Sequence, residues 1–504
     1  MKLNVKEKGY SMNKLLKGLL VTALFAVGAR AADTNKTFLM PRSHGVNMAM
    51  EYTTWNELVN MDKEDRFGAN FQVIGFYQGS TDDNDRGKYF GVNDKNDFSF
   101  KQATGYDVYS PWVIHHAQAN DAGVVAGDTA NLKIDADQDA YGAKIFYYQD
   151  LEKILKGLYL KANLPIVHVQ NDLNLKVSDP SGITSTNVFD YFKGSFTGLA
   201  NGAQEKLAYS KIDGSQSTTS VADIDIALGY KFLDKENYHM SVNLGFTIPT
   251  GTKADGVYLW EPIVGNGKHW ALGAGLDFGA TLWDKDDQNI KLAIALNYRY
   301  LFSATEKRTI GLKGFTTSTN SNWAQYFLMG KTGGKVTPAA NLLTRNVKVE
   351  TGSQLDGIVE FAYNNGGFSI ELGYNLFWKD SESVSLKDAW YADGTYGLIH
   401  EGYTVLADGN IVDGDKAWVG TAGTPGAVAA TALANGAYQV NADKLNVDAA
   451  ASESQVTNKI YGGLGYIFKE WEYPLLLGVG AQYEFASRDA VQNWGLWGKI
   501  GIGF

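Results

Sequence analysis

Along most of this chain, apolar and polar residues alternate one by one in segments of about ten residues. Between His269 and Phe302 the pattern is at its clearest. Trp270, Leu272, Ala274, Leu276, Phe278, Ala280 and Leu282 share one face of an extended chain, and Ala271, Gly273, Gly275, Asp277, Gly279 and Thr281 share the other. After a charged turn, Ile290, Leu292, Ile294, Leu296, Tyr298, Tyr300 and Phe302 continue the apolar face. Lys291, Ala293, Ala295, Asn297 and Arg299 continue the small or polar one. The spacing predicts a β-hairpin with one unbroken apolar face and a turn over Trp283 to Asn289.

The same period recurs over Phe67 to Tyr77, Ala140 to Tyr148, Leu158 to Val169, Ala222 to Leu233 and Tyr238 to Ile248. It returns over Leu355 to Tyr363, Phe368 to Lys379, Lys459 to Phe468, Leu475 to Phe485 and Trp494 to Phe504. With the hairpin this gives 12 strands, each long enough to cross a bilayer at a tilt. Short connections (Gln149 to Gly157, Asp234 to Asn237, Asn364 to Gly367, Lys469 to Pro474) alternate with long or medium ones, the longest being Gln78 to Asp139, Gln170 to Val221, Ser303 to Gln354 and Asp380 to Asn458. Even strand number and alternating loop length predict a transmembrane antiparallel up-and-down β-barrel with long extracellular loops and short periplasmic turns. The Gln78 to Asp139 connection contains YFGV and YDVYSPWVI; it could fold inward or add a hairpin, making 14 strands.

Strand phase puts Tyr230, Phe232, Tyr238, Tyr363, Tyr466 and Phe468 near one membrane interface and Trp270, Tyr300, Phe302, Trp378, Tyr483, Phe485 and Trp494 near the other, all on the apolar face. Two aromatic girdles suit amphipathic rings at two headgroup layers. Together with the closing strand WGLWGKIGIGF, which ends on Phe504, these features resemble bacterial outer-membrane β-barrel proteins of the porin and channel kind. That resemblance implies recognition of Phe504 by the barrel-assembly machinery, and covers residues 67 to 504.

Composition removes several alternatives. There is no cysteine, so thiol chemistry and disulfides are excluded, and a net charge of −10 without a basic patch argues against nucleic acid as a partner. Mean hydropathy is −0.22; alternating strands cancel in such an average, so it does not count against a membrane barrel. Residues 1–31 read as a signal peptide: Lys14 and Lys17, an apolar run from Leu19 to Val27, and Ala29-Arg30-Ala31 before the cut. Export to the cell outer membrane follows. Residues 32–66 show no alternation. A periplasmic segment or a lumen plug suits them, with Trp55 to Met61 as a short helix.

Candidate chemistry lies on the inward face. Lys161, Asp225, Asn243, Asp277, Lys291, Asn297, Arg299, Glu360, Glu371 and Glu484 are expected to line the lumen, and the full inward set holds seven charges of each sign. Balanced charge predicts weak ion selectivity. His239 and Ser241 share a strand face with the H-x-S spacing of outer-membrane phospholipases, but the residues that follow differ and the phase places them in the lumen near the periplasm. His115-His116 point apart on an extended chain, and the acidic runs at Asp82 to Asp85 and Asp94 to Asp97 lack a Ca²⁺-loop spacing. Ala422 to Ala437 could form a small lid helix. No enzyme activity, cofactor or metal is expected. The expected role is a channel passing small polar solutes by diffusion, with outer-membrane lipid around it; a non-conducting barrel acting through its loops is the alternative, and a lipid-modifying enzyme comes third.

Overall fold

The computed structural model describes residues 36–53, 68–92, 94–101, 107–109, 129–181, 185–197, 204–313, 323–330, 336–398, 404–405, 411–412, 439–488 and 490–504. Twelve antiparallel strands close into a barrel: β1 Ala69–Ser80, β2 Asp137–Asp150, β3 Leu158–Asp172, β4 Ile224–Lys235, β5 Tyr238–Ile248, β6 Ala271–Lys285, β7 Gln288–Leu301, β8 Gly352–Asn365, β9 Phe368–Lys379, β10 Gln455–Phe468, β11 Leu475–Arg488 and β12 Asn493–Gly503. Each pairs with its neighbours in sequence, and β1 pairs with β12 from Asn70 opposite Gly503 to Ser80 opposite Asn493. At the seam the Ala69 and Phe504 backbones exchange two hydrogen bonds of 2.6 and 2.9 Å, so the terminal residue is part of the closure.

The strands are mostly longer than alternation alone indicates. In β6 a bulge between Thr281 and Trp283 resets the side-chain phase, and pairing then runs on to Lys285 opposite Gln288. Periodicity fails at a bulge because one extra residue inverts every later face. The expected seven-residue turn is therefore two residues, Asp286 and Asp287, with Asp286 at φ 55 as a tight hairpin turn requires. The outer face is largely apolar: Leu228, Leu272, Leu372 and Val479 are exposed, and Leu244 is 69% exposed. Tyr230, Phe232 and Tyr238 on one rim and Trp270, Tyr300, Phe302 and Tyr483 on the other face outward.

Between β3 and β4 the wall changes partner part-way up. β4 pairs with Leu158 to Asn163 of β3, whereas Gln216–Val221 pairs with Ile166 to Asn171. Pro165, which has no N–H, accepts from the Ala222 N–H at 2.8 Å where the switch occurs.

The long connections fold together into a cap at one end. Asp97–Lys101, Val108–Tyr109, Thr129–Lys133 and Lys176–Ser181 form a four-stranded sheet, and Ala304–Thr309, Thr344–Glu350 and Ser383–Leu386 a three-stranded one. The 78–139 connection thus adds no strand to the barrel, which has the expected 12 strands and not the alternative 14. Its YFGV stretch goes elsewhere: Phe90 ends helix Asp83–Phe90, which Asp82 caps by accepting from the Asp85 N–H at 3.2 Å. Phe90, Phe98, Phe100, Phe192, Trp323 and Tyr326 meet in a buried core. Trp323 stands 4.7 Å from Phe98, 5.3 Å from Phe192 and 5.0 Å from Tyr326, ring to ring, and donates from Nε1 to Phe90 O at 2.8 Å. Trp55 to Met61, His115-His116 and Ala422 to Ala437 lie outside the described residues.

Candidate functional site

Residues 36–53 run from the cap down into the barrel, and their contacts give the path. At the cap, Thr37 N donates to Ala449 O at 2.9 Å, and Met40 N donates to Ser452 Oγ at 3.2 Å. Lys379 and Gln455, at the cap ends of β9 and β10, both donate to Met40 O, at 2.8 and 3.0 Å. Deeper in, Arg42 donates to Asp356 at 2.6 Å and Asn375 at 3.0 Å, lies 3.4 Å from Glu484, and stacks 4.6 Å from the Phe377 ring. His44 meets Gln78 at 2.6 Å, and Asn47 donates to Gln482 at 2.8 Å.

The segment then makes one short helix, α1 Met48–Tyr52, at mid-barrel. Glu51 pairs with Lys144, whose Nζ also donates to Gly45 O at 3.1 Å. Lys499 donates to the carbonyls of Glu51 at 2.9 Å and Thr53 at 2.5 Å. Buried charges persist only when paired or hydrogen-bonded, and here wall and segment supply each other's partners. Segment and wall were legible separately, but the complementarity of Arg42, Glu51 and Tyr52 to the wall was not. It depends on three-dimensional pairing with residues some hundred to over four hundred positions away.

Two cavities flank α1. One of about 80 Å³ is lined by Met48, Glu51, Asn163, Asp225, Asn243, Asn297 and Arg299. There Arg299 pairs with Asp225 at 3.0 Å, and Thr247 donates to the same carboxylate at 2.5 Å. The other, of about 430 Å³, lies towards the short-turn end and is lined by Lys231, His239, Lys291, Ala293, Glu360 and Glu371 among others. Tyr52, Lys161 and Asp277 line both. The Tyr52 hydroxyl donates to Asp277, and Lys161 Nζ lies 3.6 Å from Asp277 and 5.9 Å from the Tyr52 ring centre. These three side chains form the partition between the two spaces.

Nine of the ten residues expected at the lumen are therefore found on a cavity wall. The tenth, Glu484, lines neither: it is buried against Arg42, Lys459 at 3.1 Å and Thr457 at 2.5 Å. Ser241 Oγ meets Tyr159 OH at 3.0 Å and Asp277 Oδ2 at 3.4 Å, and the His239 ring lies over Gly279, where any Cβ would come within 2.2 Å of it. Gly229 serves the Tyr159 ring in the same way. Inward glycines let rings lie flat against the wall, which keeps the larger cavity open.

No family model matches the chain, and no curated protein matches it. Solved structures similar to it are bacterial outer-membrane barrels. An outer membrane channel from Pseudomonas putida F1 is 11% identical over 88% of this chain and 100% of that one, with a TM-score of 0.37. A Pseudomonas aeruginosa FadL homologue is 10% identical over 93% and 99%, with a TM-score of 0.29. The transport unit of the autotransporter AIDA-I from Escherichia coli is 8% identical over 90% and 95%, with a TM-score of 0.29. The closed 12-strand architecture stands on the strand register itself.

Proposed function

We propose that this protein is an outer-membrane channel for small polar solutes, held closed in this structure by residues 36–53. The observation that carries the reading is the pair of cavities with charged walls, which among the described residues share Tyr52, Lys161 and Asp277, inside a barrel whose exterior is largely apolar. An apolar exterior seeks lipid, and a polar interior that still holds unfilled space suits water and a polar solute. The cap end faces outside the cell and the short turns face the periplasm. The barrel-assembly machinery would read the strand ending in Phe504.

The cap favours a second reading, a non-conducting barrel acting through its folded loops, because those loops share a buried core. Single-channel recording in planar bilayers separates the two. The wild type should show small or infrequent steps, and a variant lacking residues 36–53 larger ones. Silence from both, with heat-modifiable gel mobility proving the barrel folded, would sink the channel and leave the loop reading.

A further inference from the structure

Beside the smaller cavity the barrel wall is thinned over three neighbouring strands. Lys161 on β3 stands opposite Ala227 on β4, and Ala227 opposite Gly245 on β5. Gly245 in turn stands opposite Gly273 on β6, and Gly273 opposite Arg299 on β7. Residues directly opposite one another share a face, so the whole row points the same way. All five line the cavity, as do Met48 and Tyr52 of α1. Two long cations thus bracket three residues with almost no side chain, a floor two strand spacings wide, roughly 10 Å at about 4.8 Å each.

The charges around this floor are matched. Four carboxylates line the cavity, and each has its own cation: Glu51 pairs with Lys144, Asp225 with Arg299 at 3.0 Å and Asp356 with Arg42 at 2.6 Å, while Asp277 lies 3.6 Å from Lys161. A charged solute would bring a charge that has no counterpart left over, and burying such a charge is costly.

The amides are not matched. Asn163 Oδ1 accepts no hydrogen bond among the described residues, whereas Asn243 gives one amide N–H to Asp277 at 3.2 Å and Asn297 gives one to Met48 Sδ at 3.5 Å. A carboxamide has two donors and a carbonyl oxygen with two lone pairs, so these bonds use a minor part of the capacity present. Register brings the amides together. Asn243 and Asn297 both stand opposite Gly275, where a Cβ would collide with both amide groups, and Asn163 stands on the cap side of the floor, opposite Asp225.

From this arrangement we infer that the smaller cavity binds a small neutral polyol, its hydroxyls bonded to the amides of Asn163, Asn243 and Asn297 and its carbons lying over Ala227, Gly245 and Gly273. The inference rests on the channel reading and names the solute class within it. A hydroxyl both donates and accepts, as the unspent amides require, and carries no charge. A cavity of about 80 Å³ has room for roughly five to eight waters at about 10–15 Å³ each, the size of a three-carbon triol.

The test uses the full-length protein in micelles of a detergent without a sugar headgroup, with binding read by saturation-transfer NMR. Glycerol is the neutral probe, serinol replaces its central hydroxyl with an ammonium, and glycerate replaces one terminal carbon's hydroxyl with a carboxylate. Glycerol should bind at least about tenfold more tightly than either charged probe. Asn163→Leu should weaken glycerol about tenfold, the scale of one lost hydrogen bond. Gly245→Val should abolish glycerol binding by filling the floor. A Cβ at Gly245 meets nothing nearer than Ala227 Cβ at 3.9 Å and Ile226 O at 4.0 Å, so this variant should fold to the heat-modifiable form. Absence of glycerol binding, equal binding of the three probes, or glycerol binding indifferent to Gly245→Val overturns the inference. The channel reading fails separately: a protein that conducts without binding glycerol keeps the channel and loses the site, and one that binds without conducting keeps the site and loses the channel.

Discussion

The barrel wall and the cap are built from the same chain by opposite rules. In the wall, leucines such as Leu244 and Leu372 point outward and charged groups such as Lys144, Glu360 and Lys499 are buried. In the cap, Phe90, Phe98, Trp323 and Tyr326 are buried. Lys88, Asp85 and Lys348 stand at the surface in exposed ion pairs. On the proposed reading the difference is the solvent each surface meets: hydrocarbon around the wall and water around the cap. A sheet crossing lipid must hide its polar face inside, whereas a globule in water hides its apolar one.

Where the two regions meet, a buried ion network joins them. Arg308 donates to Glu306 at 2.8 Å and to Glu382 at 2.6 Å, and stacks 3.5 Å over Phe38 of the lumen segment. His269 reaches Glu306 at 3.0 Å through Nε2 and Phe302 O at 2.6 Å through Nδ1. The network ties the strand ends, two cap loops and the segment to one another.

The largest expected effect comes from breaking that junction. Arg308→Met removes the guanidinium shared by two buried carboxylates and should cost about 3–5 kcal/mol; urea melts followed by trypsin cutting in the cap would measure it. A cap as stable as the wild type's would mean the two regions are independent. Trp323→Ala should cost a similar roughly 3–5 kcal/mol through the cavity it leaves. Here the cap should become protease-sensitive while gel mobility shows the barrel intact. Coupled loss of both would erase the distinction drawn above. On the wall the rule inverts: a charge at Leu276 or Ile294 should cost about 2–4 kcal/mol in lipid refolding titrations. The same charge at Ala293, which lines the larger cavity, should change conductance with little effect on stability.

Acid gives a graded version of the first test. Burial alone would raise the Glu382 carboxyl, but Arg308 and Lys379 hold it down to about 2 from an ordinary 4.5. A depressed carboxylate contributes stability above its unfolded value and loses it as pH falls through the folded one. Cap stability should therefore hold above about pH 4.5 and decline towards pH 2, and Glu382→Gln should flatten that decline.

The two regions were also unequally legible. Strand number, the outward aromatics and nearly every inward charge follow from a period of two, because each wall residue has only two directions to face. Leu282 shows the limit: one bulge hides the last turn of β6 from the pattern. The cap has no such period. Phe98, Phe192 and Trp323 come from three different connections, and only folding brings them within ring contact. The lumen segment is hidden for a related reason. Its Arg42, His44 and Glu51 look like the charges of an exposed linker until Asp356, Gln78 and Lys144 are placed around them.

The path of residues 36–53 has a consequence for the order of assembly. The segment's first described residue is fixed in the cap, its last lies at mid-barrel, and the next described residue, Gly68, leads into the strand that closes against β12. The chain is thus threaded through a ring whose final join is made by its own last strand. Either the ring closes around the thread, or the thread is drawn in afterwards through the short-turn end. In the first case inward charges such as Lys144 and Lys499 meet their partners before closure, and the thread serves as a mandrel on which the ring is wound. In the second, an empty ring must exist for a time with those charges in water. Pulse-labelling a cysteine placed at Thr53 during refolding distinguishes the two sequences of events.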